Sequence, residues 1–223
     1  MAHWAPAKND TLEAIAREIL HNYRRGRSII AVDGIRGSGT AEFADALADA
    51  LREHGTTRDG GPVEVVRASI EAFRHPPEQT DAEGVQSGAP SLPGGYDYEA
   101  FRRLLVDPFR SGGGTFVVAP GPAGGGTGSP ERRIAAPDAL LLVDGVFLHR
   151  SEVRGIWNFS LWIQVPRELA DERAEGPGTA TEAERRNRDR DLYWRDADPR
   201  SAATAIVDNT DEEHPRRVFA DSC

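Results

Sequence analysis

The chain has 223 residues, 39% hydrophobic and 28% charged, an ordinary balance for a folded domain and too apolar for a disordered one. At this length one core buries roughly 70% of the unfolded surface without disulfide or metal staples. The net charge of −9 excludes non-specific binding to a nucleic acid polymer or an anionic membrane as the main business. Cys223 is the only cysteine and Lys8 the only lysine among 27 basic residues. An intrachain disulfide, a cysteine-rich metal site and any role needing a lysine inside the domain are therefore closed. The arginine bias is that of a GC-rich bacterial gene. With no apolar run at the start and no apolar stretch near 18 residues, the expected location is the cytoplasm.

Asp10 followed by Glu13 marks a helix start, and Leu12, Ile15, Ala16, Ile19, Leu20 and Tyr23 then recur at helical spacing. Arg24, Arg25 and Arg27 close it, as a helix C-terminus favours. Residues 28–33 form a short apolar run suited to a buried strand. A glycine-rich turn follows at 34–39, and Phe43, Ala46, Leu47, Ala50 and Leu51 mark a second amphipathic helix. Further strands are expected at 63–66, 115–119, 139–143, 159–163 and 203–207, with helices at 98–106 and 167–190. Alternating strands and helices predict an α/β domain over 1–223, three-layered with a mainly parallel sheet. Residues 79–95 and 112–130, rich in Gly, Pro and Ser, read as loops, either plain linkers or covers for a substrate.

A strand, a glycine turn and a helix in succession aim backbone N–H groups and a helix N-terminus at a phosphate. The turn reads Gly34-Ile35-Arg36-Gly37-Ser38-Gly39-Thr40-Ala41. The pattern G-x-x-x-x-G-K-[ST] fits through Gly39 and then fails twice, with Thr40 for the lysine and Ala41 for the magnesium-binding hydroxyl. Phe43 keeps the usual distance from Gly39, so these are substitutions rather than a deletion. A dinucleotide fingerprint read from Gly37 and Gly39 fails at Glu42, whose carboxylate would face a pyrophosphate. The second element is Leu140-Leu141-Leu142-Val143-Asp144-Gly145, an apolar strand ending in an acid. Behind a phosphate loop such an acid holds magnesium directly or through water.

These motifs do not stand alone. Ile30-Ala31-Val32-Asp33-Gly34, Phe43-Ala44-Asp45-Ala46-Leu47-Ala48, Val66-Arg67-Ala68-Ser69-Ile70, the run from Tyr96 to Leu105, the run ALLLVDGVFLHR from Ala139 to Arg150, and Val207-Asp208-Asn209-Thr210-Asp211 occur in order. Over about residues 28–212 the chain resembles the uridine kinase-like branch of the phosphoribulokinase/uridine kinase family. The resemblance implies a P-loop nucleoside-kinase-like fold with a short lid at about 167–195. It also implies ATP-dependent phosphorylation of a nucleoside or related hydroxyl compound, with oligomers permitted. In that pattern a lysine meets the β/γ-phosphates, a Ser/Thr binds Mg²⁺ and an aspartate takes the hydroxyl proton. Here those positions hold Thr40, Ala41 and Glu71. The histidine-arginine stretch appears as Arg74-His75-Pro76, and the lid run R-Y-x-x-G-Q as Arg188 to Tyr193. Asp144 is retained.

A charge-assisted hydrogen bond contributes roughly 1.5–3 kcal/mol, so losing the lysine alone costs about 10- to 100-fold. The glycine amides are enough for anion binding, and binding and catalysis therefore separate. Gly34, Arg36, Gly37, Ser38, Gly39 and Thr40 are the candidate phosphate contacts. Glu71 is the candidate base, with His75 and Asp144 beside it, and Asp144 is the metal ligand if magnesium is used. Arg67, Tyr96, His149 and Arg188 are candidate substrate contacts. Tyr98 and Phe101 read as helix packing, Trp157 and Trp162 as core, and Trp194 as a further stacking surface. The expected protein is a repurposed kinase-like enzyme for a phosphorylated or nucleoside-like small molecule, with ATP and magnesium doubtful as cofactors. Two alternatives stay open: an active kinase in which arginine replaces the lysine, and a non-catalytic phosphate-binding regulator.

Overall fold

The computed structural model describes residues 7–23, 25–57, 60–75, 95–120, 129–174 and 180–219. Most of the two expected loops, at 79–94 and 121–128, lies outside the described residues. Among the described residues eight strands are formed: β1 Ser28–Gly34, β2 Val65–Ser69, β3 Phe116–Ala119, β4 Glu131–Arg133, β5 Leu140–Gly145, β6 Phe159–Gln164, β7 Ala205–Asp208 and β8 Arg216–Val218. Six form one sheet in the order β2-β5-β1-β6-β7-β8, parallel except for β8, while β3 and β4 form a separate hairpin. The strand expected at 63–66 begins two residues later.

Alternation along the central strands divides the core in two. Ile30, Val32, Leu140, Leu142, Leu161 and Ile163 face α1 (Lys8–Tyr23) and α2 (Thr40–His54), which bury Leu12, Ile15 and Ile19 and Phe43, Leu47 and Leu51 against them. Ile29, Ala31, Leu141 and Val143 face the other side, packed by the helix over 98–111 and the hairpin. Fully burying each such side chain stabilises by about 1.5–3 kcal/mol. The three layers predicted from the alternation of elements are present.

Helix α3 is built from α-helical Tyr98–Phe101, a π-helical turn Arg102–Val106 and α-helical Asp107–Ser111. The Asp107 N–H reaches back five residues to the Arg102 carbonyl. That wider turn brings Phe101, Leu105, Val106 and Phe109 all into the core, and the helix runs five residues beyond its expected end. Three further helices follow: α4 Arg167–Arg173, α5 Ala180–Ala197 and α6 Pro199–Ala202. The expected helix over 167–190 is thus two helices. Among the described residues no helix is long and apolar enough to cross a membrane.

Candidate functional site: the phosphate loop and its surroundings

Parallel strands place their C-terminal ends on one edge of the sheet, where open α/β folds bind ligands. Asp33-Gly34 of β1, Ser69 of β2, Asp144-Gly145 of β5 and Asp208 of β7 end on this edge. The glycine turn leaves β1 there. The Ser38 N–H closes it on the Ile35 carbonyl at 2.9 Å, and the Asn209 side-chain amide donates to the Ser38 carbonyl at 2.9 Å. Gly37 (φ +83°) and Gly39 (φ +81°) are left-handed, and both are close-packed as well. A Cβ on Gly37 would stand 2.1 Å from the Ala170 carbonyl oxygen of α4, and one on Gly39 would stand 2.9 Å from the Asn209 amide nitrogen.

The loop keeps its donors. Gly39 caps α2 without a side-chain hydrogen bond. The N–H groups of Gly37, Gly39, Thr40, Ala41 and Glu42 donate to no other described residue. The Ser38 hydroxyl, fully buried against Gly34, is likewise unpartnered. Free backbone N–H groups at a helix N-terminus suit a phosphate.

Magnesium does not fit the residues present. Ala41 offers no oxygen, and the Thr40 methyl lies over Gly34. Both carboxylate oxygens of Asp144 are engaged: Oδ1 by Arg67 Nη2 at 2.8 Å and Oδ2 by the Ser69 hydroxyl at 3.1 Å. Arg67 also donates to Asp45 of α2 at 2.9 Å and to the Leu142 carbonyl at 2.9 Å. Among the described residues no three His, Cys, Asp or Glu side chains are grouped to hold a metal ion.

Glu71, on the 3₁₀ turn Ile70–Phe73 after β2, is exposed and charge-paired. Arg74 donates to its Oε2 from Nε (3.0 Å) and Nη2 (2.8 Å), and the buried Tyr96 hydroxyl donates to its Oε1. Arg74 also lies 4.8 Å from the Tyr96 ring centroid. Burial and the Glu71 charge push the Tyr96 phenol far above its ordinary range, so it stays a donor. His75 bonds through its backbone to the Gly95 carbonyl at 2.8 Å. Arg36 and Arg188 are exposed, with no ion pair or hydrogen bond among the described residues. Tyr98 and Trp162 are buried and Trp194 is partly exposed, in keeping with the packing expected of the first two.

No protein-family model matches the chain, and no curated protein matches it. Solved structures do. A possible uridine kinase from Bacillus stearothermophilus is 18% identical, with a TM-score of 0.63 over 88% of this chain and 97% of that one. A candidate fructose transport system kinase from Silicibacter sp. TM1040 is 23% identical, with a TM-score of 0.54 over 73% and 79% of the two chains. The YGR205w protein is 16% identical, with a TM-score of 0.53 over 95% and 99%. The fold is that of the P-loop kinases.

At the two positions where the P-loop kinase pattern has a lysine and a Ser/Thr, this chain has Thr40 and Ala41. Sequence reasoning placed His149 and Asp144 at this edge but missed Asp33 and Tyr193. The Asp33 carboxylate is fully buried. Its Oδ1 accepts the Gly34 N–H at 2.8 Å, and its Oδ2 accepts from His149 Nδ1 at 2.6 Å and from the Tyr193 hydroxyl of α5. The available signal was an acid ending the strand before a glycine turn, the feature that singled out Asp144.

The Arg67–Asp144 pair gives a test of this edge. Burial pushes the Asp144 carboxyl above its ordinary range, although Arg67 and Ser69 favour its charge. Arg67→Ala leaves that carboxylate poorly paired and is expected to cost about 2 kcal/mol, below the figure for a fully buried pair because Arg67 is 20% exposed. A carboxyl raised in the folded state binds its proton more tightly there than in the unfolded chain. Stability therefore rises as pH falls through the folded value. The variant's deficit in urea denaturation should be largest near neutrality and should shrink in acid.

Proposed function

We propose that this chain is a repurposed kinase-like protein that binds a phosphorylated or nucleoside-like small molecule on the 34–39 loop without magnesium, ordinary ATP phosphoryl transfer having been lost. The observation that carries the reading is the division at the loop: free amides remain, while Thr40 and Ala41 supply neither charge nor metal ligand. Phosphoryl transfer rests on positioning and charge neutralisation, whereas anion binding needs only the amides and the helix terminus. Glu71 follows β2, which β5 separates from the loop strand β1, and its carboxylate is held by Arg74 and the Tyr96 hydroxyl. Arg67, Tyr96, His149 and Arg188 remain the proposed ligand contacts, of which Arg188 is the one without a partner among the described residues.

Titration calorimetry tests the reading. Inorganic phosphate or a nucleoside monophosphate should bind equally with Mg²⁺ and with a chelator, and Mg²⁺ should not tighten ATP. Magnesium-dependent ATP binding with turnover would overturn it. A second reading, an active kinase using arginine for lysine, is favoured by Arg36, an exposed guanidinium on the loop itself with no partner among the described residues. It requires that Arg36→Ala abolish that turnover.

A further inference from the structure

Four side-chain atoms among the described residues are buried without a hydrogen-bond partner: Ser38 Oγ, His149 Nε2, Trp162 Nε1 and Arg190 Nε. Such atoms are rare in folded proteins. Here they belong to the loop, the exit of β5, strand β6 and helix α5, all of which converge on Asp33.

Asp33 joins three elements through one carboxylate. Gly34, the next residue, ends β1 where the loop begins, His149 belongs to the segment after β5 and Tyr193 to α5. The Tyr193 hydroxyl donates to Asp33 and also accepts the His149 backbone N–H at 3.0 Å. Burial and the Asp33 charge push that phenol far above its ordinary range, so it keeps its proton. Phe147, two residues before His149, holds φ +64° and packs its ring edge-on to Tyr193 at 4.9 Å. A bulky residue in the left-handed region persists only where its surroundings enforce it.

A second route runs from α5 to the same loop. Arg190, one turn before Tyr193, donates to Asp171 of α4 at 2.8 Å and to Asn187. The α4 backbone at Ala170 is in turn pressed against Gly37. Helix α5 cannot shift without disturbing both contacts.

We propose that Asp33 couples helix α5 to the phosphate loop, so that an anion on the loop and the Tyr193–Asp33–His149 latch stabilise one another. The inference rests on the anion-binding reading above. Coupling between two sites is reciprocal: if the latch favours the anion, the anion favours the latch by the same factor.

The test is amide hydrogen exchange over residues 186–197, with and without inorganic phosphate, beside calorimetry with phosphate. Phosphate should slow exchange in wild type. Tyr193→Phe removes one hydrogen bond to a charged acceptor and keeps the ring. It should speed that exchange and weaken phosphate about 10-fold, and phosphate should no longer slow the exchange. His149→Asn, whose amide can still donate to Asp33, should protect α5 better than His149→Leu, and this pair carries the comparison if Tyr193→Phe does not fold. Phosphate binding without any change in α5 exchange overturns the coupling alone. No phosphate binding to wild type overturns the anion reading and the coupling together.

Discussion

Gly37→Ala is expected to destabilise the protein by roughly 3–5 kcal/mol and to abolish phosphate binding. Two costs add. An L-residue at φ +83° carries about 1–2 kcal/mol of left-handed strain. The new methyl also meets a backbone carbonyl, Ala170 O, at 2.1 Å, where no side chain can swing aside. Overpacking of this kind costs about 1–3 kcal/mol or more. Relief requires α4 to move off the loop, which opens the turn that gathers the amides. Thermal and urea denaturation would read the first effect, with a midpoint lowered by about 6–20 °C for a chain of this size, and calorimetry would read the second. Unchanged stability would mean that the loop and α4 are not in contact. Gly26→Ala, also at positive φ but with nothing within 4 Å of the added carbon, isolates the strain from the collision.

Thr40→Lys combined with Ala41→Ser is expected to raise ATP affinity in the presence of Mg²⁺ by about 100-fold, each single change giving about 10-fold. Both positions begin α2 directly after the Gly39 cap, and Ala41 is exposed, so the new side chains enter without repacking the core. The lysine restores a cation at the β/γ-phosphates and the serine an oxygen for the metal. For full effect the metal must also displace Arg67 from Asp144. Calorimetry of ATP with and without Mg²⁺ decides it. No gain would mean that these two side chains are not what limits binding of ATP with Mg²⁺, and that the surrounding charge network matters more.

The strands and helices that carry the loop were legible because their periodicities are unambiguous. Ser28–Gly34 is buried at every position, and the Phe43, Leu47, Leu51 face stays in step. Strands β4 and β8 were not legible. Each has three residues, two of them arginines, with no alternation to read. The π turn hid the end of α3 by breaking the 3.6-residue period. At the site, local spacing indicated the glycines and Asp144, but contacts 160 residues apart leave no local trace. Nothing near Tyr193 announces that its hydroxyl meets Asp33. The ion pairs of Glu71 with Arg74 and of Arg67 with Asp144 were similarly invisible, since sequence lists charges without showing which are already neutralised.

The order of the sheet also governs how the molecule can be made. β5 lies between β2 and β1, and the other neighbour of β1 is β6. No two strands of the main sheet drawn from the first 139 residues are neighbours. A chain emerging from the ribosome therefore holds two apolar strands that cannot pair with each other, and it must wait for residues 140–145 to bridge them. Closing contacts across more than a hundred residues is slow, and the unpaired run Ser28–Gly34 is open to wrong partners throughout that interval. The nascent protein is thus vulnerable to aggregation until β5 has been synthesised.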